Sequence, residues 1–160
     1  DHSFDVVSKV DLQEVRNAFS QADKEIVTRY DLKRVDASIA LEGEKIVAES
    51  ADEFTLGQAL DVLKSKLVKR GVHRKTRRPA PVEPAGRGRV RQSIAFQQGI
   101  PTDAAKKLVA EIKQRKLRVQ ASIQGDSVRI SAKSKDELQT AIAALRALEV
   151  DVPLTFTNYR

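Results

Sequence analysis

Residues 35–54 read VDASIALEGEKIVAESADEF and residues 119–138 read VQASIQGDSVRISAKSKDEL; laid over one another at a constant displacement of 84 positions, nine of the twenty pairs are identical. Each stretch alternates apolar and polar residues, breaks at a turn (Glu42-Gly43-Glu44 in one, Gln124-Gly125-Asp126-Ser127 in the other) and alternates again. That is the pattern of a hairpin with one buried face. Each then runs into a helix start, where Ser50 with Glu53 and Ser134 with Glu137 have the spacing of a capping box. Hairpins followed by capped helices converge on such residues, but the shared register favours duplication of a unit of about 80 residues.

Working outward, a short strand near Phe4 to Val7 leads to Asp11, with Glu14 three residues on. Leu12, Val15, Phe19, Ala22 and Ile26 then repeat at helical spacing. Leu56, Ala59, Leu60, Leu63 and Leu67 make the buried stripe of a second helix. The other half repeats the order, with Ile94 and Phe96 on a strand, Leu108, Val109 and Ile112 on a helix, and Val152, Leu154 and Phe156 on a last strand. Strand-helix-strand-strand-helix-strand, twice, predicts an α+β protein of two ferredoxin-like (βαββαβ) domains with antiparallel sheets. The first repeat, with a basic joining segment, occupies residues 1–88 and the second residues 89–160.

The chain has 160 residues, 41% of them apolar and 32% charged, with no Cys, Met or Trp. A disulfide scaffold, a thiolate metal site and cysteine nucleophile chemistry are thereby excluded, and the cytoplasm is the expected location. No run approaches the roughly 18 apolar residues of a membrane helix, and DHSFDVVSKVD lacks the basic start of a signal peptide. A soluble protein without a membrane partner is expected. The missing initiator methionine implies a start after processing or trimming.

Charge is uneven. Residues 1–54 carry 7 basic and 13 acidic side chains, residues 55–100 carry 11 and 2, and residues 101–160 carry 11 and 7. Lys69 and Arg70 end the second helix; Arg74, Lys75, Arg77, Arg78, Arg87, Arg89 and Arg91 follow among prolines and glycines, so this joining segment is either a mobile linker or an irregular ladder. Lys106 and Lys107 begin a second cluster on the third helix. Such density supplies the positive potential that phosphates need, and forked guanidinium groups suit phosphate oxygens. The alternative is a solvated linker that repels itself and binds nothing in particular. None of the seven aromatics forms the adjacent-strand pair on which an RNA-recognition motif stacks bases, so sequence-specific base readout is weakly supported.

Two loops are candidate ligand contacts. Gln98-Gly99 precedes the third helix, whose first residues could hold an anion, although a capping role for Thr102 or Asp103 accounts for the sequence. Gln124-Gly125-Asp126 reads first as the hairpin turn and second as a ligand loop. For catalysis there is little: His2 and His73 are far apart, the acidic pairs Asp52-Glu53 and Asp136-Glu137 are explained by helix starts, and no metal cluster is visible. A non-enzymatic protein without cofactor or metal is expected.

SFDVVSKVDLQEVRNA at 3–18, QQGI at 97–100, KLRVQASIQGDSVRISAKSKDELQTAIA at 116–143 and FTNYR at 156–160 resemble the YajQ family of bacterial nucleotide-binding proteins over nearly the whole length. The resemblance implies two ferredoxin-like domains exchanging N-terminal strands, so that the strand near 4–7 joins the second sheet and the strand near 90–97 the first. It also implies binding of purine nucleotides and of RNA such as transfer RNA, which the basic joining segment would place in the region where the domains meet. For some members it implies response to cyclic di-GMP through a protein partner. AGRGRVRQSIAF at 85–96 departs from the family pattern, which carries an aromatic there, and shifts the expectation from stacking to electrostatics.

Overall fold

The computed structural model describes residues 1–160. In chain order the elements are β1 (His2–Val7), α1 (Leu12–Thr28), α2 (Tyr30–Lys33), β2 (Ser38–Glu42), β3 (Lys45–Ser50), α3 (Glu53–Lys69), β4 (Arg77–Pro79), β5 (Glu83–Pro84), β6 (Val90–Phe96), α4 (Thr102–Gln114), β7 (Gln120–Gln124), β8 (Ser127–Ala132), α5 (Lys135–Arg146) and β9 (Thr155–Thr157). The architecture is α+β, with two antiparallel sheets and five helices. The chain divides into a central unit, residues 10–96, and a terminal unit that joins residues 1–9 to 97–160.

In the central unit the sheet order is β2-β3-β6-β4, with β5 also paired to β6. Strand alternation turns Ile39, Ile46, Ala48 and Ile94 to one face. They pack in one core with Val15, Ala18, Ala22 and Ile26 of α1 and with Leu56, Ala59, Leu60, Leu63 and Leu67 of α3. Each fully buried leucine there is worth roughly 2 kcal/mol of transfer free energy. In the terminal unit the order is β7-β8-β1-β9. Phe4 and Val6 face inward with Val128 and Ile130, covered by Leu108 and Ile112 of α4 and Leu138, Ala141, Ile142 and Leu145 of α5. Asp5, between two core residues on β1, therefore points to the other face of that sheet.

The internal repeat has a different register from the one its identities suggest. The turn glycines Gly43 and Gly125, both at positive φ, stand 82 positions apart, and so do the helix caps Asp52 and Ser134. At the displacement of 84, Ile39 would match Ile123, yet the first is 6% exposed and the second 44%. A slip of two residues keeps every side chain on its own face of the pleat, so strand composition scores well in either register. The nine identities thus fall on positions that are not structurally equivalent and lend no weight to duplication.

The helix starts follow local chemistry, with corrections. Asp11 caps α1, accepting from the amides of Gln13 and Glu14, but the Glu14 carboxylate turns to Asn17 and Arg70 rather than back to the cap. Ser50 is not the cap of α3: the hydroxyl is buried against that of Thr55 at 2.7 Å, and Asp52 accepts from the Thr55 amide at 2.8 Å. That amide bond holds the Asp52 carboxyl below the usual carboxylate range. Asp52→Ala should cost about 1 kcal/mol; an unchanged urea midpoint would count against this assignment. Ser134 does cap α5, bonding the Glu137 amide and carboxylate. At α4 the cap position is Pro101, whose hydrocarbon ring has no acceptor to offer the helix amides, and Thr102 and Asp103 already lie within the helix. The last strand is also shorter than its apolar pattern suggests, because Val152 and Leu154 pack in the core ahead of β9.

Candidate functional site

The joining segment is an ordered ladder. After α3 a short 3-10 turn, Arg74–Thr76, is capped by His73, whose Nδ1 accepts from the Lys75 amide at 3.0 Å; that bond occupies the ring nitrogen a general base would use. β4 and β5 then lie along β6, with Arg78 opposite Ala95 and Glu83 opposite Arg91. Prolines sit where this edge needs few ladder donors.

Side-chain contacts sort the cations of this segment into two groups. Arg89 is held three ways: Nε donates to Glu49 at 3.0 Å, and the two terminal nitrogens donate to the carbonyls of Val35 at 3.0 Å and Asp36 at 2.8 Å. Arg91 bonds Glu83 at 2.6 Å and Arg70 bonds Glu14 at 3.0 Å; in the second pair the hydrogen bond from Arg70, then that from Asn17, holds the Glu14 carboxyl below its ordinary range. Arg78 donates to the carbonyls of Lys75 and Arg77. Arg77 is half-buried, and its Nε has no partner. Burial, with the nearby Arg74, pulls its guanidinium below the ordinary arginine value. Lys69, Arg74 and Arg87 are exposed and make no ion pair. On α4 Lys106 is likewise exposed and unpaired, whereas the Lys107 ammonium donates to the Glu149 carbonyl.

The two candidate loops lie against each other within the terminal unit. Gly99, at φ +76, donates its amide to the Ser8 carbonyl at 2.9 Å, and the Ile100 amide donates to the Asp126 carbonyl at 2.9 Å. Gln98, Gln124, Gly125 and Asp126 are exposed around this contact while Gly99 is buried. Ser8 is buried too, and its hydroxyl has no partner.

Sequence spacing alone did not single out Asp5. This 6% exposed carboxylate accepts from Arg129 Nε at 2.9 Å and from Asn158 Nδ2 at 2.9 Å. Register explains the meeting, because Asp5 stands opposite Arg129 on β8 and opposite Thr157 on β9. The hydrogen bond from Arg129 depresses the Asp5 carboxyl against the opposing effect of burial, and the bond from Asn158 adds to it. On the helix-covered face, Arg146 lies 5.3 Å from the centre of the Phe156 ring, a cation–π contact. No group of three His, Asp or Glu side chains is disposed to hold a metal ion, and no helix is long and apolar enough to cross a membrane.

These features define an α+β protein whose charged surface is partly neutralised from within and partly left open. A model of the family described as "Nucleotide-binding protein YajQ-like" matches residues 2–160. Similar proteins over nearly their full lengths include a nucleotide-binding protein of Chloroherpeton thalassium, 51% identical over 99% of this chain and 97% of its own. Others are nucleotide-binding proteins of Desulforamulus reducens, 48% identical over 100% and 97%, and of Koribacter versatilis, 49% identical over 100% and 98%. The chain belongs to the YajQ-like family.

Proposed function

We propose that this chain is a non-enzymatic nucleotide- and RNA-binding protein of the cytoplasm, in which the basic segment of the central unit supplies phosphate contacts. Purine nucleotides and transfer RNA are the ligands of this reading, which the naming of the relatives supports at the level of nucleotide binding. The observation that carries the electrostatic part is the set Lys69, Arg74 and Arg87, exposed cations with no carboxylate partner in a segment where Arg70, Arg89 and Arg91 are held by carboxylates and Arg78 by backbone carbonyls. Unneutralised cations on the ordered helix end and turns that flank the ladder attract phosphate without the entropy loss of a mobile tail. The strand orders β7-β8-β1-β9 and β2-β3-β6-β4 favour two ferredoxin-like units, in which β1 and β6 take the place of each other's first strand.

Binding of labelled transfer RNA, followed by anisotropy over a range of salt, tests the reading. With about six phosphates of a single strand neutralised, log K should fall against log salt with a slope near −4, and a Lys69→Ser, Arg74→Ser, Arg87→Ser variant should be shallower by about 2. An unchanged slope and affinity in the variant would sink the electrostatic role. Saturable cyclic di-GMP binding, indifferent to salt and to the three substitutions, would instead favour an effector that acts through a protein partner.

A further inference from the structure

Beside β1 the chain end is pinned: the Arg160 amide donates to the Ser3 carbonyl at 3.0 Å and the Ser3 amide donates back to the Arg160 carbonyl at 3.2 Å. Just before this pair the backbone turns through the left-handed region at Asn158, φ +55, where the side chain is held on Asp5. Tyr159 is thereby fixed between two anchored residues. Its ring leans on Phe4, centroids 6.0 Å apart, and remains 58% exposed. It forms one wall of a cleft of about 320 Å³.

The rest of the lining is chemically selective. Leu138 gives an apolar patch of floor, His2 and Ser3 of β1 border it, Gln139 offers an amide, and Lys135 and Arg160 bring two cations; no carboxylate side chain lines the cleft. A flat aromatic face beside an amide suits a nucleobase, and two cations suit the phosphate that accompanies it. Because the tyrosine is already immobilised, little ordering cost attaches to its use as a platform. Ligand pockets run from about 300 to 1,000 Å³, so this one is of a size to take a single nucleotide unit.

We propose that this cleft is the base-recognition site of the chain, taking one nucleoside 5′-phosphate unit with its base on Tyr159, its base edge toward Gln139 and its phosphate toward Lys135 and Arg160. The site rests on the nucleotide-binding reading above and adds to it a place outside the arginine-rich segment. The unit is either a free mononucleotide or one residue of an RNA strand.

The chain has two tyrosines, so in a Tyr30→Phe variant with ring-labelled tyrosine every ring signal in the NMR spectrum belongs to Tyr159. Addition of GMP, AMP or a short RNA strand should shift these signals upfield by stacking, whereas ribose 5-phosphate, which has no base, should leave them in place. Equilibrium dialysis run in parallel should show binding weakened about tenfold or more by Tyr159→Ala, retained by Tyr159→Phe, and weakened by the exposed substitution Lys135→Ser. Response to GMP and AMP would identify a mononucleotide site, and response to the strand alone an RNA site. Dialysis that shows bound nucleotide, with unmoved ring signals and a Tyr159→Ala variant that binds as the parent does, would overturn the site and leave nucleotide binding standing. No bound nucleotide or RNA at all in the parent protein would overturn both.

Discussion

Replacing Gly99 by alanine should destabilise the terminal unit by about 2 to 4 kcal/mol, a fall in melting temperature on the order of 10 °C. Two costs combine. The residue holds φ +76, a conformation that an L side chain adopts at a cost of roughly 1 kcal/mol or more. A Cβ built there would stand 2.3 Å from Asp126 Oδ2, 2.5 Å from its Cβ and 2.6 Å from its Cγ. Rotating the carboxylate does not relieve the contact with Asp126 Cβ, and shifting the turn breaks the bond from the Ile100 amide to the Asp126 carbonyl. Adding Asp126→Gly should return the steric part of the loss but not the conformational part, so thermal denaturation of the two single variants and the double variant should give a favourable coupling. A Gly99→Ala protein within about 0.5 kcal/mol of the parent would contradict the packing described.

Asp5→Asn should be the next most damaging change, about 2 kcal/mol at neutral pH. The carboxylate is 6% exposed and takes hydrogen bonds from Arg129 and Asn158. Its removal leaves Arg129 without the partner that compensates its partial burial, but that side chain is 36% exposed, so water recovers part of the loss. The pH dependence follows from the depressed carboxyl. In the folded protein Asp5 gives up its proton more readily than in the unfolded chain, so its contribution is complete above about pH 4, the ordinary aspartate value, and drains away as pH falls through the lower folded value. Chemical denaturation at pH 7 and at pH 3 should therefore show the gap between the parent and Asp5→Asn narrowing in acid. A gap that widens in acid would mean that Asp5 carries its proton in the folded state.

What was legible in the sequence was whatever a short window contains. Alternation in residues 38–50 and 120–132 marked both hairpins, and helical spacing marked α1, α3, α4 and α5. Alternation also marks Phe4 and Val6 as inward-facing, but it carries no information about which sheet they enter. The same blindness affected charge: Arg70, Arg89 and Asp5 find their partners 56, 40 and 124 positions away. Density could therefore identify a basic segment without telling a structural guanidinium from an open one. Prolines at 79, 81 and 84 spoke against helix and did not choose between linker and ladder; pairing with β6 made that choice. Tyr159 drew no notice as a platform because the turn that presents it depends on Asp5, at the opposite end of the chain.

The pairing of β1 with β8 and β9 also constrains how the protein comes into being. The central unit is one continuous stretch and has all its strands once residue 96 has been made, whereas the first strand of the terminal unit is completed at Val7 and meets its partners only after Ser127. At bacterial elongation rates that interval is roughly six to twenty-four seconds. Throughout it β1 stays unpaired on the nascent chain, while the central unit that follows it in sequence already has all its strands. Completion of the second sheet is thus timed by translation itself, with β8 and β9 closing it on β1.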